Sequence, residues 1–280
     1  MKNFINLPEK DKLNIFNQAS ARSGLPASAV EKDWWVTFAL NLIFSLPYSN
    51  QIVFKGGTSL SKAYNLIERF SEDIDLAIDR ELLGFGGDLS KNQIKKLRKA
   101  SCSFIGTTLH TGIKTKLIEL GVEDYELVVQ ATEDSDKDPL IMDLRYKPLT
   151  SSSGYLKPRV QIEVGARSLI EPVEDKAIIS IVSKEFEALP FTESGITVPV
   201  VSPKRTFLEK IFLLHEEFQK GTKLIRTERM SRHLYDLEKL MDTIHGIEAL
   251  EDAGLYKTIV EHRRRSVSYT HLTLPTICSV

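Results

Sequence analysis

Cysteine is scarce in this chain, because only Cys102 and Cys278 occur among its 280 residues. Two cysteines so far apart have neither the spacing of zinc ligands nor the density of a disulfide-stabilised secreted domain. The sequence therefore favours a reducing compartment and excludes the small disulfide-rich classes of protein.

Long apolar runs are also lacking. The N-terminal segment carries Glu9, Lys10, Asp11 and Lys12 where a signal peptide would have its apolar core. No later run approaches the roughly 20 apolar residues that span a bilayer. We therefore expect a cytoplasmic protein without a membrane partner.

The chain has no excess of charge of either sign, with 37 Lys and Arg against 38 Asp and Glu. A nucleic-acid contact would therefore depend on a local basic patch. The helix-prone stretch from about Lys91 to Leu120 begins with such a patch, formed by Lys91, Lys95, Lys96, Arg98 and Lys99. This patch is either an RNA contact or a solvated helix face.

What the chain does contain is the alternation of helices and strands typical of an α+β protein. Strand-like patterns cover 51–54, 73–79, 125–131, 140–146 and 159–166. Helical periodicity covers 8–23 and 59–70, and it returns after Pro203. We place a mixed α/β domain with N-terminal helices at 1–200 and a helical domain at 201–265. The tail at 266–280 lacks periodicity and resembles translated adapter sequence, so we expect it to be non-native.

The segment AVEKDWWVTFALNLIFSL (29–46) is apolar around most of a helical circumference. Such a helix packs deeply in a core. Trp34 and Trp35 could instead stack on bases, but the apolar helical pattern around them favours core packing.

The most informative segment is FKGGTSLSKAYNLIERFSEDIDLAID (54–79), in which a strand, a glycine pair, a helix and a second strand follow one another. Asp73 and Asp75 are two residues apart. On a strand this spacing places both carboxylates on one face, with Ile74 and Leu76 facing the core. Two carboxylates on one face are suited to binding a divalent cation.

The glycine pair is suited to binding a phosphate group through the backbone. Gly56 and Gly57 allow the backbone to approach a triphosphate, and the following helix directs its first amides at negative charge. Thr58 and Ser59 add hydroxyl donors, and Lys55 or Lys62 adds positive charge. Either motif alone is weak, since glycine pairs are usually turns and Asp-x-Asp is common on surfaces. Together they predict phosphoryl-group transfer.

A third acid is expected on a neighbouring strand. RVQIEVGA alternates Val160, Ile162 and Val164 with polar residues, so Glu163 lies on the polar face. Asp143, on the strand IMDLRY, is the competing third acid. We favour Glu163.

The glycine pair followed by DID resembles the signature of the DNA polymerase β-like nucleotidyltransferase superfamily. Within it, the chain resembles the AbiEii toxin family. The similar segments are EKDWWVTFAL (31–40), KGGTSLSK (55–62), RFSEDIDLAI (69–78), QIEVGAR (161–167), SPKRTFLEKIFLL (202–214) and RHLYDLEKL (232–240). The 15 residues between Gly57 and Asp73 are slightly more than the superfamily usually has.

The resemblance implies a polymerase β-like nucleotidyltransferase core, a mixed sheet flanked by helices, in the 1–200 domain, with a helical region after it. It implies a triphosphate held by Gly56, Gly57 and Thr58. It implies Mg²⁺, as a two-metal site, on Asp73, Asp75 and Glu163. It also implies catalytic roles for Lys210 and Asp236. On spacing alone, Arg232 and Asp236 would be a surface helical ion pair.

By the same resemblance, we expect a bacterial toxin–antitoxin or abortive-infection toxin that acts in phage defence. It would transfer nucleotides from a nucleoside triphosphate (NTP) to RNA, for example the 3′ end of tRNA, and an antitoxin protein would oppose it. Two alternatives remain. One is nucleotidylylation of a small molecule such as an antibiotic, which would favour an acidic acceptor pocket. The other is a non-catalytic nucleotide-binding regulator.

Overall fold

The computed structural model describes residues 2–134, 136–151, 156–167, 170–187, 189–220, 224–227 and 230–266. Within this part of the chain, helices flank one mixed β-sheet and more helices follow it, which confirms the predicted α+β class. The predicted tail lies outside the described residues, apart from Ser266 at the end of the last helix.

The sheet has seven strands. They are β1 (Ile52–Lys55), β2 (Ile74–Ile78), β3 (Tyr125–Val129), β4 (Leu140–Tyr146), β5 (Arg159–Gly165), β6 (Val173–Ile178) and β7 (Ile196–Val201). Their order across the sheet is β3-β4-β5-β2-β1-β7-β6. The pairs β2–β5 and β1–β7 are parallel and the others are antiparallel. The glycine pair therefore follows a strand in the middle of the sheet.

The α-helices of the described residues are α1 (Lys2–Ile5), α2 (Glu9–Ser23), α3 (Ala27–Phe44), α4 (Gly56–Lys62), α5 (Lys91–Phe104), α6 (His110–Glu119), α7 (Ile181–Glu185), α8 (Pro203–Phe218), α9 (Met230–Met241), α10 (Ile244–Glu251) and α11 (Ala253–Ser266). A π-helical turn at Ile105–Leu109 joins α5 to α6. No helix in this part of the chain is both long and apolar enough to cross a bilayer.

One face of the sheet carries the main core. Ile74, Leu76, Ile162 and Val164 point into it, as the alternation of the sequence predicts, and α3 packs on them. Trp34 is 4% exposed and stacks on Phe38 in this core. Trp35 stacks on Tyr146 with ring centroids 4.6 Å apart. Core packing of both tryptophans is thus confirmed.

A second apolar cluster joins the segment after β1 to the C-terminal helices. Leu60 and Ile67 are buried there with Phe207, Phe212 and Leu240. Because α4 belongs to this cluster, the glycine turn that begins α4 is tied to the helical region. The sheet ends at Val201, next to the predicted division near residue 200, although the two-domain organisation stays a prediction.

Three consecutive charged residues of α3 are buried, which the apolar pattern around them did not predict. Glu31 accepts hydrogen bonds from the backbone N–H groups of Leu149 (2.8 Å) and Thr150 (3.0 Å). Lys32 is 2% exposed and forms an ion pair with Glu72 at 3.1 Å. Buried charges persist only when paired. These pairs fasten α3 to the loop after β4 and to the segment that leads into Asp73.

The predicted helix after the glycine pair is too long. It ends at Lys62, where we expected helix up to Phe70. Asn65 has a φ of +52°, and the N–H of Leu66 donates to the carbonyl of Leu60 at 2.9 Å. This is the turn with a left-handed residue that commonly ends helices, and asparagine tolerates that conformation.

Candidate active site

The candidate site lies on the face of the sheet opposite the α3 core. In the strand register, Asp75 of β2 is paired with Lys55 of β1 and with Glu163 of β5. Directly paired residues of adjacent strands point to the same side. Lys55, Asp75 and Glu163 therefore form one row across three strands, and Asp73 precedes β2 next to this row.

The pKa values of Asp75 and Glu163 are both raised, in part by neighbouring carboxylates. Burial, together with the neighbouring Glu163 and Asp73, raises the pKa of Asp75 from 3.8 to about 7, against the opposing effects of Lys55 and Lys210. Burial also raises the pKa of Glu163; Lys55 opposes this increase and Asp73 adds to it. Negative charge is thus concentrated where the protein only partly neutralises it. Perturbed carboxyl groups in a cleft are typical of functional sites.

Neighbouring side chains leave little room for a Cβ atom at Gly56 or Gly57. Gly56 has a φ of +80°, and a Cβ atom built there would lie 1.9 Å from Oδ2 of Asp75. A Cβ atom on Gly57 would lie 2.5 Å from Nη2 of Arg69. The turn is thus enclosed by a carboxylate on one side and a guanidinium on the other, and no side chain fits between them.

The side-chain hydroxyls of Thr58 and Ser59, which follow the turn, form hydrogen bonds within the protein. Thr58 Oγ1 lies 2.8 Å from Ser71 Oγ and donates to the carbonyl of Asp73. Ser59 Oγ donates to the carbonyl of Gly56 at 2.8 Å. Both residues are buried. They fix the turn and the approach to Asp73, so their contacts to a triphosphate, which stay a prediction, would come from backbone N–H groups.

Lys62, one of the two lysines suggested as phosphate ligands, is used elsewhere. Its Nζ contacts Oδ1 of Asp33 on α3, while Oδ2 of Asp33 accepts from the backbone N–H of Ile181 at 2.7 Å. Lys55, in contrast, borders a cavity together with Glu163. Of the two lysines, the structure therefore brings Lys55 to the row of carboxylates.

The helical region contributes a buried ionic cluster. Asp236 is 0% exposed and accepts two hydrogen bonds from Arg69, from Nε at 2.6 Å and Nη2 at 2.7 Å. Nζ of Lys210 lies 2.9 Å from Oδ2 of Asp236. Burial alone would raise the pKa of Asp236, but Arg69 and Lys210 lower it below its ordinary value. Asp236 is therefore buried, whereas spacing alone would place it on the surface of the helix.

Arg69 is the residue of this cluster that the sequence did not reveal. It lies in the RFSEDIDLAI segment, but no spacing rule connects it to Asp236, which lies 167 residues later. Its guanidinium spans from the glycine turn to α9. The signal available in the sequence was an arginine shortly before an Asp-x-Asp pair, which is too common to be informative.

Asp143, the competing third acid, is engaged by other groups. It is 1% exposed, with Arg159 Nη1 at 2.9 Å and Gln130 Nε2 at 3.2 Å from its Oδ2. Its strand partner is Gln161, two residues away from Glu163. The geometry therefore favours Glu163 beside Asp75, and its role as third acid stays a proposal.

The donor set suits a hard cation, although it is not assembled around one point. Among the described residues, no three Asp, Glu, His or Cys side chains are arranged as ligands of one metal ion. Asp73, Asp75 and Glu163 nevertheless supply only oxygen atoms, which Mg²⁺ prefers. Burial and neighbouring carboxylates raise the pKa of Asp75 and of Glu163, and a dication bound beside them would favour their charged forms.

Two adjoining cavities lie between the sheet and the C-terminal helices, and the smaller one borders Glu163. The smaller has a volume of about 260 Å³ and is bordered by Lys55 and Glu163. The larger has a volume of about 580 Å³ and extends towards α5. Arg167, Arg205 and His262 border both. The glycine turn borders neither, so the cavities lie to one side of it.

The family model described as "Nucleotidyl transferase AbiEii toxin, Type IV TA system" matches residues 41–277. The chain belongs to the AbiEii family. It is therefore a nucleotidyltransferase toxin of the type IV toxin–antitoxin class, which confirms the predicted nucleotidyltransferase toxin and adds its type. Five of the six similar segments lie within the match, and EKDWWVTFAL (31–40) precedes it.

Two solved structures are similar to this AbiEii chain. MenT4, a nucleotidyltransferase toxin from Mycobacterium tuberculosis H37Rv, is 17% identical with a TM-score of 0.43 over 92% of this chain and 98% of that one. JHP933 from Helicobacter pylori is 16% identical with a TM-score of 0.41 over 85% of this chain and 78% of that one. No curated protein matches the sequence significantly.

The close approach of Asp75 to Gly56 can be tested against a glycine of the same conformation. Gly84 also has a φ of +80°, but a Cβ atom there would meet nothing within 4 Å. We expect Gly84→Ala to cost about 1 kcal/mol of stability from backbone strain alone and to keep activity. Gly56→Ala carries the same strain plus a collision with Asp75, so it should lose nucleotide transfer. Equal activity of the two variants, measured with thermal melting as a check on folding, would contradict the assignment of the turn.

The raised pKa of Asp75 predicts a specific dependence of stability on pH. Between pH 4 and 7 the folded state binds more protons at Asp75 than the unfolded state, so its contribution to stability falls as pH rises. With a chelator present, Asp75→Asn should therefore melt above the wild type at pH 8, and the difference should shrink towards pH 4. A difference independent of pH would show that Asp75 is not perturbed.

Proposed function

We propose that this AbiEii toxin transfers a nucleotide from an NTP to an RNA acceptor in a reaction that requires Mg²⁺ on Asp73, Asp75 and Glu163. The observation that carries the proposal is the strand register that places Asp75 between Lys55 and Glu163, next to the turn at Gly56. NTP as a substrate and an antitoxin as a partner follow from the family.

The three carboxylates share the cation site in this proposal, and Glu163 has a second task. Asp73, Asp75 and Glu163 would hold the cation, which when bound supplies charge neutralisation for the triphosphate and the attacking hydroxyl. Glu163 also borders the smaller cavity, so a hydroxyl that enters there could pass its proton to this carboxylate.

Arg69 and Lys210 supply positive charge on the triphosphate side. Arg69 lies over Gly57, and Lys210 is close enough to Asp75 to lower its pKa. Asp236 has no exposed surface and holds both cations with hydrogen bonds of 2.6–2.9 Å. We therefore assign Lys210 and Arg69 to phosphate binding and Asp236 to positioning them, which refines the catalytic role expected for Asp236.

RNA is favoured over a small cationic acceptor by the charges nearest the site. The smaller cavity is bordered by four cationic side chains, Lys55, Arg167, Arg205 and Arg263, and by three carboxylates, Asp138, Glu163 and Glu209. The larger cavity has five carboxylates and three arginines at its border. That acidic excess is the one feature that favours a cationic small molecule such as an antibiotic as acceptor.

The test is incubation of the protein with labelled NTPs, Mg²⁺ and total RNA, with an aminoglycoside in a parallel reaction. Label should enter RNA, and Asp73→Asn should reduce incorporation at least about a hundredfold, because one charge of the cation site is lost. Asp79→Asn is a matched control, since Asp79 follows the same strand and caps a short helix, a role that asparagine also fills. Label in the aminoglycoside but not in RNA would overturn the acceptor, and full activity of Asp73→Asn would overturn the mechanism.

The basic start of α5 gives a second test of the RNA acceptor. Lys95, Lys96 and Lys99 are all exposed on this helix. If they contact RNA, replacing the three with Gln should weaken RNA modification and flatten its dependence on salt, because fewer counterions are released on binding. NTP binding should be unchanged. The exposed lysines Lys2, Lys10 and Lys114 provide a control triple variant of equal charge. Identical salt slopes in both triple variants would leave the α5 lysines as a solvated face.

A further inference from the structure

We propose that Lys32 is a positioning residue, which holds Asp73 in place for the cation by means of its ion pair with Glu72. The inference rests on the proposed function, because it concerns the cation site that includes Asp73. Lys32 belongs to α3, which packs on the core face of the sheet. It therefore acts through Glu72 and not on the substrate. The sequence patterns predicted only core packing for the helix around it.

The two aspartates of the DID motif are held by different means. Asp75 lies inside β2 and is paired on both sides, with Lys55 of β1 and with Glu163 of β5. Asp73 precedes β2, and the pairing of β2 with β5 begins at Ile74. The ladder of backbone hydrogen bonds therefore fixes Asp75 directly. The position of Asp73 depends in addition on contacts of the segment that leads into the strand.

That segment is held from two helices. From α4, Oγ1 of Thr58 donates to the carbonyl of Asp73 and lies 2.8 Å from Oγ of Ser71. From α3, Nζ of Lys32 lies 3.1 Å from Oε2 of Glu72, the residue immediately before Asp73. The backbone at Asp73 is thus fixed on one side by a hydroxyl and on the other by an ion pair.

Lys32 also holds the start of β5. Its Nζ donates to the carbonyl of Lys157 at 3.0 Å and to the carbonyl of Arg159. Together with Glu72 these are three acceptors, which matches the three hydrogens of an ammonium group. Because β2 and β5 are parallel neighbours, their first residues lie at the same edge of the sheet. Lys32 therefore joins the beginnings of the two strands that carry the row of carboxylates.

Burial makes this contact specific in its geometry. The side chain of Lys32 is 2% exposed and that of Glu72 is 14% exposed. A buried ammonium group is tolerated only where its charge is paired and its hydrogens are accepted. Water cannot replace Glu72 as it would on the surface, so the ion pair restricts the backbone next to Asp73 to one position.

The charge of Lys32 and its positioning role have opposite effects on cation binding. Burial lowers the pKa of Lys32, and the negative charges of Glu72 and Asp73 oppose this, so Asp73 is within electrostatic range. As a positive charge alone, Lys32 would repel a dication on Asp73, and its removal would strengthen cation binding. As the support of a ligand, its removal would weaken binding, typically about 10- to 100-fold for such outer partners. The direction of the change therefore distinguishes the two effects.

The test measures binding of Mn²⁺ to the full chain without NTP, by calorimetry. Mn²⁺ accepts the same oxygen ligands as Mg²⁺. We expect Lys32→Met to raise the Kd for Mn²⁺ at least about tenfold. Because this variant leaves Glu72 buried without its partner, it is paired with the double variant Lys32→Met/Glu72→Gln, which changes no net charge. The double variant should regain part of the lost melting temperature but not the affinity for Mn²⁺.

The neighbouring residue Glu31 provides a matched control. Glu31 is also 2% exposed and also forms buried polar contacts, but these hold Leu149 and Thr150 in the loop after β4. Glu31→Gln should lower the melting temperature and change the Kd for Mn²⁺ less than about twofold, because it leaves the outer partner of Asp73 in place. If the loss of Mn²⁺ affinity were equal in Glu31→Gln and Lys32→Met, Lys32 would have only a general structural role.

The binding measurement separates this inference from the proposed function. Unchanged or tighter Mn²⁺ binding in Lys32→Met, with normal binding by the wild type, would overturn the positioning role alone. A wild type that binds no Mn²⁺ would overturn the cation site and the positioning role together. If Lys32→Met weakens Mn²⁺ binding but no RNA is labelled by the wild type, the positioning role stands and the proposed reaction fails.

Discussion

The structure depends on one electrostatic constraint, the presence of several carboxylates on one partly buried face of the sheet with too little positive charge among them. Asp75 and Glu163 are adjacent by strand register, and Asp73 adjoins them. Like charges held together in a region of low dielectric oppose folding. Binding of a cation to the folded state would offset this cost by mass action.

Several cationic side chains around these carboxylates form ion pairs with other acids. Lys32 pairs with Glu72, and Lys62 pairs with Asp33. Arg69 and Lys210 are both occupied by Asp236. The nearby cations are thus fixed by other acids. In the proposed mechanism the row of carboxylates would bind the cation, and Arg69 and Lys210 would contact the phosphate.

The sequence revealed the parts of the site that follow local rules. The alternation in β5 predicted Glu163 on the polar face, and the Asp-x-Asp spacing predicted Asp73 and Asp75 beside it, because strand periodicity is a property of a few consecutive residues. The α4 helix was predicted too long, because helical periodicity continues past Asn65 although the backbone reverses there. Patterns of side chains do not show where a left-handed residue ends a helix.

The ionic cluster was harder to predict, for a different physical reason. Asp236 and Arg69 are 167 residues apart in sequence, and each is an ordinary charged residue in its own segment. The family resemblance suggested Lys210 and Asp236 as catalytic but did not distinguish substrate contact from support. That distinction requires burial and geometry, because a carboxylate with no exposed surface and three short contacts to cations has nothing left to offer a substrate.

The sheet and the helical region are coupled through the apolar cluster around α4 and through Arg69. Leu60 of α4 is buried in the same apolar cluster as Phe207 and Leu240, and Arg69 connects the glycine turn to Asp236 on α9. The cavity beside Glu163 likewise needs both the sheet and α11 for its walls. The two sides of the candidate site, the glycine turn and the cavity beside Glu163, are therefore each built partly from the sheet and partly from the helices. A change in how the helices pack on the sheet would alter both sides together, whereas the carboxylate row, which lies wholly on the sheet, would keep its register.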